Sequence, residues 1–569
     1  MCGIAGIWGR GDIVPMTRIL EHRGPDEEGF FRAGEVQLGS RRLKVIDLVS
    51  GRQPIVSTDG KCAIVYNGEI FNYKELRVGL AKEFEFVTQS DTEVVLHAYR
   101  KWGEHCVDHF NGQFSFAIYD GARLFCARDR MGEKPFYYAR TGDGFYLASE
   151  IKALLTQVRS APRIEESFWV FDCALAPDTL FENIFELPPA HWLIFDGQQL
   201  TTHCYWRVPE PVDCFPSEKE LVDELRALIE DAVRRRMVAD VPVGLFLSGG
   251  LDSAVMAGAA LPSDVFSCRF PLGEAFDEFH YAQIVAQRIG ARHHVVTPTF
   301  DDLRQRLGDI IWHLDQPIAT ASTISEFMLA ETAKRHVTVV LGGQGADETF
   351  GGYVRYLLMS IEHDLARRPE LANYFPLARF FWNPDMFGDP AARYYELIHR
   401  AQAADPAPHI ARVRQYFADE RRPLIDRMEL ADIHLSLPSL ITMNDRAAAA
   451  FGLENRCPFL DHRIVEFAFR LPPEMKICEL KTKRILRLAA RDIVPEQILQ
   501  RRDKKGLVVP FVQWLNGPLK AWATELDGSL AARGLSIPPP TLRGEFDRSL
   551  YSRVCLELWF RRFFPDWHA

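Results

Sequence analysis

No window of the 569-residue chain reaches the ~18–20 consecutive apolar residues of a membrane span, and its first dozen residues lack the basic stretch and apolar core of a secretory signal. Cysteine is present but unorganised. The 11 cysteines are scattered and odd in number, and none stands in C-x-x-C spacing, which argues for reduced thiols rather than a disulfide framework or a zinc site. Positive charge is not in excess: the formal net charge is -10 and the pI about 6.0. That excludes a nucleic-acid polyanion as main partner, though not a nucleotide held at a local site. Internal repeats and low-complexity segments are also missing. These absences predict a soluble, cytoplasmic protein without membrane or nucleic-acid partners.

Apolar residues make up 47% of the chain, enough for proper cores, and the length allows two to four domains. The stretch 208–217 holds three prolines and no periodicity. After it, Leu221, Leu225, Leu228, Ile229 and Val233 recur at helical spacing, and Ser217 suits an N-cap, so a helix is predicted from Glu218 to about Val238. The boundary is placed near 210, giving domains 1–209 and 210–569. Before it, short runs rich in aromatic and β-branched residues predict strands at Cys62–Tyr66, Phe114–Tyr119 and Leu124–Ala127, with Asp120-Gly121 as a hairpin turn. After it, the apolar runs Val241–Leu247 and Val337–Leu341 each lead into a glycine loop, the habit of a parallel α/β sheet. Beyond about Gly352 the pattern is mostly helical.

Cys2 stands where removal of Met1 leaves it first in the chain. A terminal cysteine carries its own base, because a free α-amine titrates at about 7.7–8.0 and can take the thiol proton. The segments His22–Asp26, Ser40–Leu43, Tyr66–Ile70 and Ser90–Glu93 follow in order. Singly, each reads as a turn, a solvated charge or a helix cap. As an ordered set they resemble the class II, N-terminal-nucleophile glutamine amidotransferases. The resemblance implies that Cys2 attacks the glutamine amide, and that Asn67 and the Gly68 N–H stabilise the oxyanion. It implies too that Arg42 holds the substrate carboxylate while Glu69 and Asp91 hold its ammonium.

The second half carries Ser248-Gly249-Gly250-Leu251-Asp252-Ser253 between an apolar strand and a small-residue helix. Such a loop presents backbone N–H groups at a helix N-terminus, suited to an oligophosphate. It lacks the G-x-x-x-x-G-K-[ST] pattern and resembles instead the PP-loop of ATP pyrophosphatases. A second loop, Gly342–Glu348, follows the strand ending at Leu341. By resemblance Asp252 and Asp347 bind Mg²⁺, while Leu247, Cys268, Gly342 and Gly343 cradle the adenosine of ATP. Asn444–Arg446, Glu454–His462 and Lys481–Arg487 then recur in the order found in asparagine synthetases, with Lys483 near the α-phosphate. A helix is read over 481–491.

From Cys2 to about Leu515 the chain is thus similar to the glutamine-hydrolysing asparagine synthetase family. The resemblance implies an αββα sandwich followed by an α/β domain with extra helices, an aspartyl-adenylate attacked by ammonia, an internal ammonia route and, as is common in the family, a homodimer. Two positions depart from its pattern on the acceptor side. Gly342 and Gln344 replace the serine and glutamate of S-G-E-G, and Thr320 stands where aspartate is frequent. An amide cannot act as a general base. The acceptor is therefore expected to be aspartate or another carboxylic acid, such as a sugar acid or a biosynthetic intermediate. Two other readings carry less: a lactam-forming synthetase, whose relatives typically lack the terminal cysteine, and a degenerate sensor, which Gln344 keeps open.

Overall fold

In the computed structural model, which describes residues 1–273, 277–318, 322–361, 389–401, 403–501, 509–539 and 548–568, the first two hundred residues build two stacked sheets. One runs Ile184–Glu186, Tyr137–Thr141, Gly144–Ala148, Gly3–Gly9, Val36–Arg42, Glu27–Ala33. The other runs Leu200–Cys204, His191–Phe195, Leu124–Arg128, Gly112–Tyr119, Ala63–Ile70, Ile55–Val56. All neighbours in both are antiparallel.

Alternation along the strands decides what lies between the sheets. Ile4, Leu38, Ala63, Val65, Ala117 and Leu147 form the inter-sheet core. Residues of opposite parity face outward. Ala5 and Ile7 meet helix Ile13–Arg18, and Ile64 and Tyr66 meet Val94, Val95 and Ala98 of helix Asp91–Trp102. Side chains two apart share a face. Cys2, two before Ile4, and Asn67, two after Val65, therefore point into the same space. The layers are helix, sheet, sheet, helix, as expected. The strand read as ending at Tyr66 continues to Ile70, because Gly112–Tyr119 pairs with it throughout.

The stretch between Cys204 and helix Glu218–Arg236 holds no regular element. That helix begins with a reciprocal cap between Ser217 and Glu220. Beyond it lies a five-stranded parallel sheet in the order Arg292–Val296, Asp264–Cys268, Val243–Phe246, Val339–Leu341, Glu454–Arg456. The chain moves outward from Val243–Phe246 in one direction, then returns to Val339–Leu341 on its other side. Val243–Phe246 and Val339–Leu341 thus flank the point where strand order reverses, and loops 247–250 and 342–345 leave their carboxyl ends there. That is where open α/β sheets bind ligands. Among the described residues, the other regular elements of the second half are helices.

The two halves share a core. Tyr137, Ala139 and Tyr146 from the first sheet pack with Leu307 and Ile311 of helix Phe300–Leu314 and with Val554 and Trp559 of helix Ser549–Phe563. No helix among the described residues is long and apolar enough to cross a membrane.

Candidate active sites

At the first site the Cys2 backbone N–H donates to Asn67 Oδ1 at 3.0 Å, and the Cys2 carbonyl accepts from Arg23 Nε at 3.0 Å. Gln53 Nε2 lies 3.9 Å from the sulfur. Burial pushes the thiol above its ordinary pKa, against the pull of the nearby amino terminus, the Leu43 N–H and Arg42. The other end of the Asn67 amide, Nδ2, is buried and has no hydrogen-bond partner among the described residues. A buried donor left unmade costs ~1–3 kcal/mol, so this one is built to meet an acceptor. Gly68 has φ +153°, and a Cβ there would sit 2.1 Å from the Gln113 carbonyl oxygen, so only glycine passes.

Two acids lie beside it. Asp91 begins its helix behind the Ser90 cap and accepts from Tyr66 Oη at 2.8 Å and from the Ile70 N–H at 3.0 Å. Burial still raises it to about 6. Burial, then Asp91 and Glu454, holds Glu69 well above the carboxylate range. Crowded, desolvated carboxylates favour a cation between them. Arg42 spends Nη2 on the Ile46 and Asp47 carbonyls, at 3.0 and 2.6 Å, and Nη1 on Glu27 at 2.9 Å.

Residues of the second half complete this site. Arg456, on the parallel sheet's edge strand, approaches Glu69 to 3.5 Å. The Met1 amine lies 3.8 Å from Glu454, and burial lowers it to about 6. Arg23 pairs at 2.9 Å with both Glu150 and Asp445. Arg446 reaches Glu150 at 2.6 Å and Asp315 at 3.2 Å, and Lys152 pairs with Asp315 at 2.8 Å. All of these side chains are essentially fully buried.

At the second site Gly250 caps helix Leu251–Ala260. The Ser248 and Ser253 hydroxyls lie 3.0 Å apart, and the Gly250 N–H donates to Ser248 Oγ at 3.3 Å, tightening the loop. Gly249 has φ +78°, and a Cβ there would meet the Ala282 nitrogen at 2.6 Å. Lys483 Nζ lies 2.6 Å from both Asp252 Oδ1 and Asp347 Oδ1. A Cβ on Gly352 would strike Asp347 and Lys483 at about 2 Å.

The family model described as asparagine synthase matches residues 224–554, and that described as a glutamine amidotransferase domain matches 1–206. The chain belongs to the asparagine synthase family. Asparagine synthetase [glutamine-hydrolyzing] 1 of Bacillus subtilis (strain 168) is 33% identical over 92% of this chain and 90% of that protein. A putative asparagine synthetase [glutamine-hydrolyzing] of Mycobacterium tuberculosis (strain ATCC 25618 / H37Rv) is 32% identical over 98% and 93%. Amidase chry2 of Gibberella zeae (strain ATCC MYA-4620 / CBS 123657 / FGSC 9075 / NRRL 31084 / PH-1) is 29% identical over 89% and 86%. This family member is accordingly an enzyme, a carbon–nitrogen ligase of the glutamine-dependent asparagine synthetase type.

Within this asparagine synthase fold the sequence-derived residues fall into two groups. Cys2, Asn67, Gly68, Glu69 and Asp91 converge, as do Ser248, Gly249, Gly250, Asp252, Ser253, Asp347 and Lys483. Gly343 faces Asp252 and Met256 across the loops. Others are engaged elsewhere. Leu247 donates its N–H to the Phe266 carbonyl and packs in the core. Cys268 is half-buried, and desolvation pushes its thiol up to about 12. Gln344 Oε1 accepts from the Cys457 thiol at 3.4 Å and stands beside Gly342, where a Cβ would meet it at 2.3 Å. Thr320 lies outside the described residues. Lys483 precedes its helix rather than lying within it: it is left-handed, φ 55°, and the helix spans only Arg484–Ala489. Sequence reasoning missed Gln53, Arg456 and the position of Arg23. Arg23 and Arg456 had a signal, each standing in a segment already singled out, whereas Gln53 had none.

Proposed function

We propose that this chain hydrolyses glutamine at Cys2 and passes the ammonia to an acyl-adenylate made from ATP, with aspartate as first acceptor and AMP and pyrophosphate released. The observation that carries this is the Asn67 amide. One end holds Cys2, and the other is a buried donor with no partner among the described residues.

With Met1 removed, the Cys2 nitrogen is a free amine placed against Asn67 Oδ1. It takes the thiol proton, and the sulfur attacks the side-chain carbonyl carbon of glutamine. Asn67 Nδ2 and the Gly68 N–H donate to the oxyanion, each such donor being worth ~2.7–4 kcal/mol. The C–N bond breaks, the proton leaves with ammonia, and water hydrolyses the thioester to glutamate. Arg42 orients the substrate carboxylate with its remaining N–H groups, and Glu69 and Asp91 hold the ammonium.

In the second domain, 210–569, the loop Ser248–Ser253 receives the phosphates of ATP, with Leu247, Cys268, Gly342 and Gly343 beside the nucleoside. An acceptor carboxylate oxygen attacks the α-phosphorus, and the bond to the β-phosphate breaks. Asp252 and Asp347 bring oxygens to one small cation position, now taken by Lys483 Nζ, and so fit Mg²⁺. When bound, the ion neutralises charge on the leaving pyrophosphate. Lys483 offsets charge at the α-phosphate. Ammonia attacks the acyl carbon, AMP departs, and its phosphate takes the surplus proton, since Gln344 is no base.

Gln344, with its contact to Cys457, also supports a second reading, in which the same chemistry amidates a carboxylic acid other than aspartate. Likeness to a relative named an amidase points the same way. A screen of acids for acid-dependent pyrophosphate release, aspartate first, decides between them. Release of ADP and phosphate instead would overturn the adenylation reading.

A further inference from the structure

A cavity of about 500 Å³ opens between the halves, and none of the site residues placed above lines it among the described residues. One wall comes from strand ends of the second antiparallel sheet and the stretch 204–210. The other comes from helices Ala407–Phe417, Leu424–Leu435 and Leu437–Ala449. Its volume is that of a site for a small organic molecule.

The lining charges do not cancel. Four arginines face three carboxylates, leaving one positive charge over. Arg128 and Arg422 are the buried members, and Arg128 is spent on Glu186 and on the Gly132, Lys134 and Leu187 carbonyls. Arg422 Nη2 donates to the Pro209 carbonyl at 2.7 Å, but Nη1 is buried with no partner among the described residues. The nearest acid, Asp419, lies 3.6 Å from its Nε and is already held by Arg421 at 2.9 and 3.0 Å. Arg207, exposed at the rim, makes no ion pair among the described residues. A guanidinium with an unmet buried N–H is suited to an oxyanion.

Two histidines stand in the lining. His434 Nδ1 lies 2.8 Å from the Leu430 carbonyl, and His191 Nδ1 lies 2.7 Å from the Pro189 carbonyl. A carbonyl only accepts, so each Nδ1 carries the proton. Burial lowers the pKa of half-buried His191, which leaves its Nε2 unprotonated. Tyr416 stacks on His434 at 4.7 Å, and Met131 and Ile433 add apolar wall.

We propose that this cavity is a binding site, separate from both reaction centres, for a small organic monoanion with a ring-sized apolar body. The acid group meets Arg422 and Arg207, the body lies against Tyr416, Ile433 and Met131, and a hydroxyl or N–H donates to His191 Nε2. The site stands whether or not aspartate is the acceptor.

The full-length enzyme is titrated with 8-anilinonaphthalene-1-sulfonate, followed by fluorescence, with its uncharged parent N-phenyl-1-naphthylamine in parallel. The expected result is saturable binding of one sulfonate per chain, weaker binding of the uncharged probe, and no displacement by glutamine or ATP. Arg207→Ala, at an exposed position, weakens the sulfonate by roughly fivefold. Thr442→Phe, which fills the cavity, abolishes binding while circular dichroism and glutaminase activity stay those of the parent. Binding that survives both substitutions, displacement by ATP or glutamine, or equal affinity for the uncharged probe would overturn the proposal.

Discussion

The two halves prepare for chemistry in opposite ways. Around Cys2 the polar groups are fixed with some demand left unmet: Asn67 Nδ2 has no partner, and Asp91 pairs with no cation, among the described residues. Around Asp252 the charges satisfy one another, with Lys483 clasped by both aspartates. The first site needs only its substrate. The second must exchange internal ion pairs for phosphate and metal contacts before it can act, and that lets nucleotide binding set its geometry. A prebuilt site loses rate when one donor is removed, whereas a site held by mutual ion pairs loses its assembly.

The largest test separates the halves outright. Cys2→Ala abolishes glutamine-driven synthesis and leaves ammonia-driven synthesis intact, assayed as amide product with each nitrogen source. Asp252→Asn does the reverse, lowering acid-dependent pyrophosphate release by about 10²–10³-fold while basal glutaminase activity survives; loss of both would erase the contrast. Asn67→Ala lowers glutaminase kcat by about 10²–10³-fold with little change in KM, because its free donor acts on the transition state. An effect on KM alone would mean that Asn67 serves only in binding.

Asp445→Ala probes the seam. Burial raises the Asp445 carboxyl, but Arg23 and Lys134 overcome that and hold it below the usual range. Removing it leaves buried Arg23 with Glu150 as its one remaining acid among the described residues, which lowers stability in urea unfolding by less than the ~3–5 kcal/mol of a fully unpaired buried charge. The smallest effect is on pH. Asp91 sits at about 6 through burial, and only its ionised form holds the substrate ammonium. The glutamine KM therefore rises as pH falls through about 6, by up to ~tenfold per unit, and Asp91→Asn flattens that profile.

What the sequence disclosed follows the reach of its signals. Cys2, Asn67-Gly68 and the loop Ser248–Ser253 are legible because the chemistry sits within a few consecutive residues. Strand parity, which turns Cys2 and Asn67 into one space, follows from the alternation. Arg456 was not legible as part of the glutamine site. Its strand has three residues, too few for any period, and its neighbours Val339–Leu341 and Glu69 lie far away in the chain. Lys483 was placed on the right segment but in the wrong conformation, since helical spacing in 481–491 says nothing of a left-handed residue at its start.

Arg456 has a practical consequence for anyone dividing the enzyme. On paper, a cut near 210 falls in a stretch without regular structure. Electrically it severs a circuit, because Glu69 and Arg23 each close on charges beyond residue 440. A fragment ending there carries Glu69 without Arg456, and Arg23, which holds the Cys2 carbonyl, without Asp445.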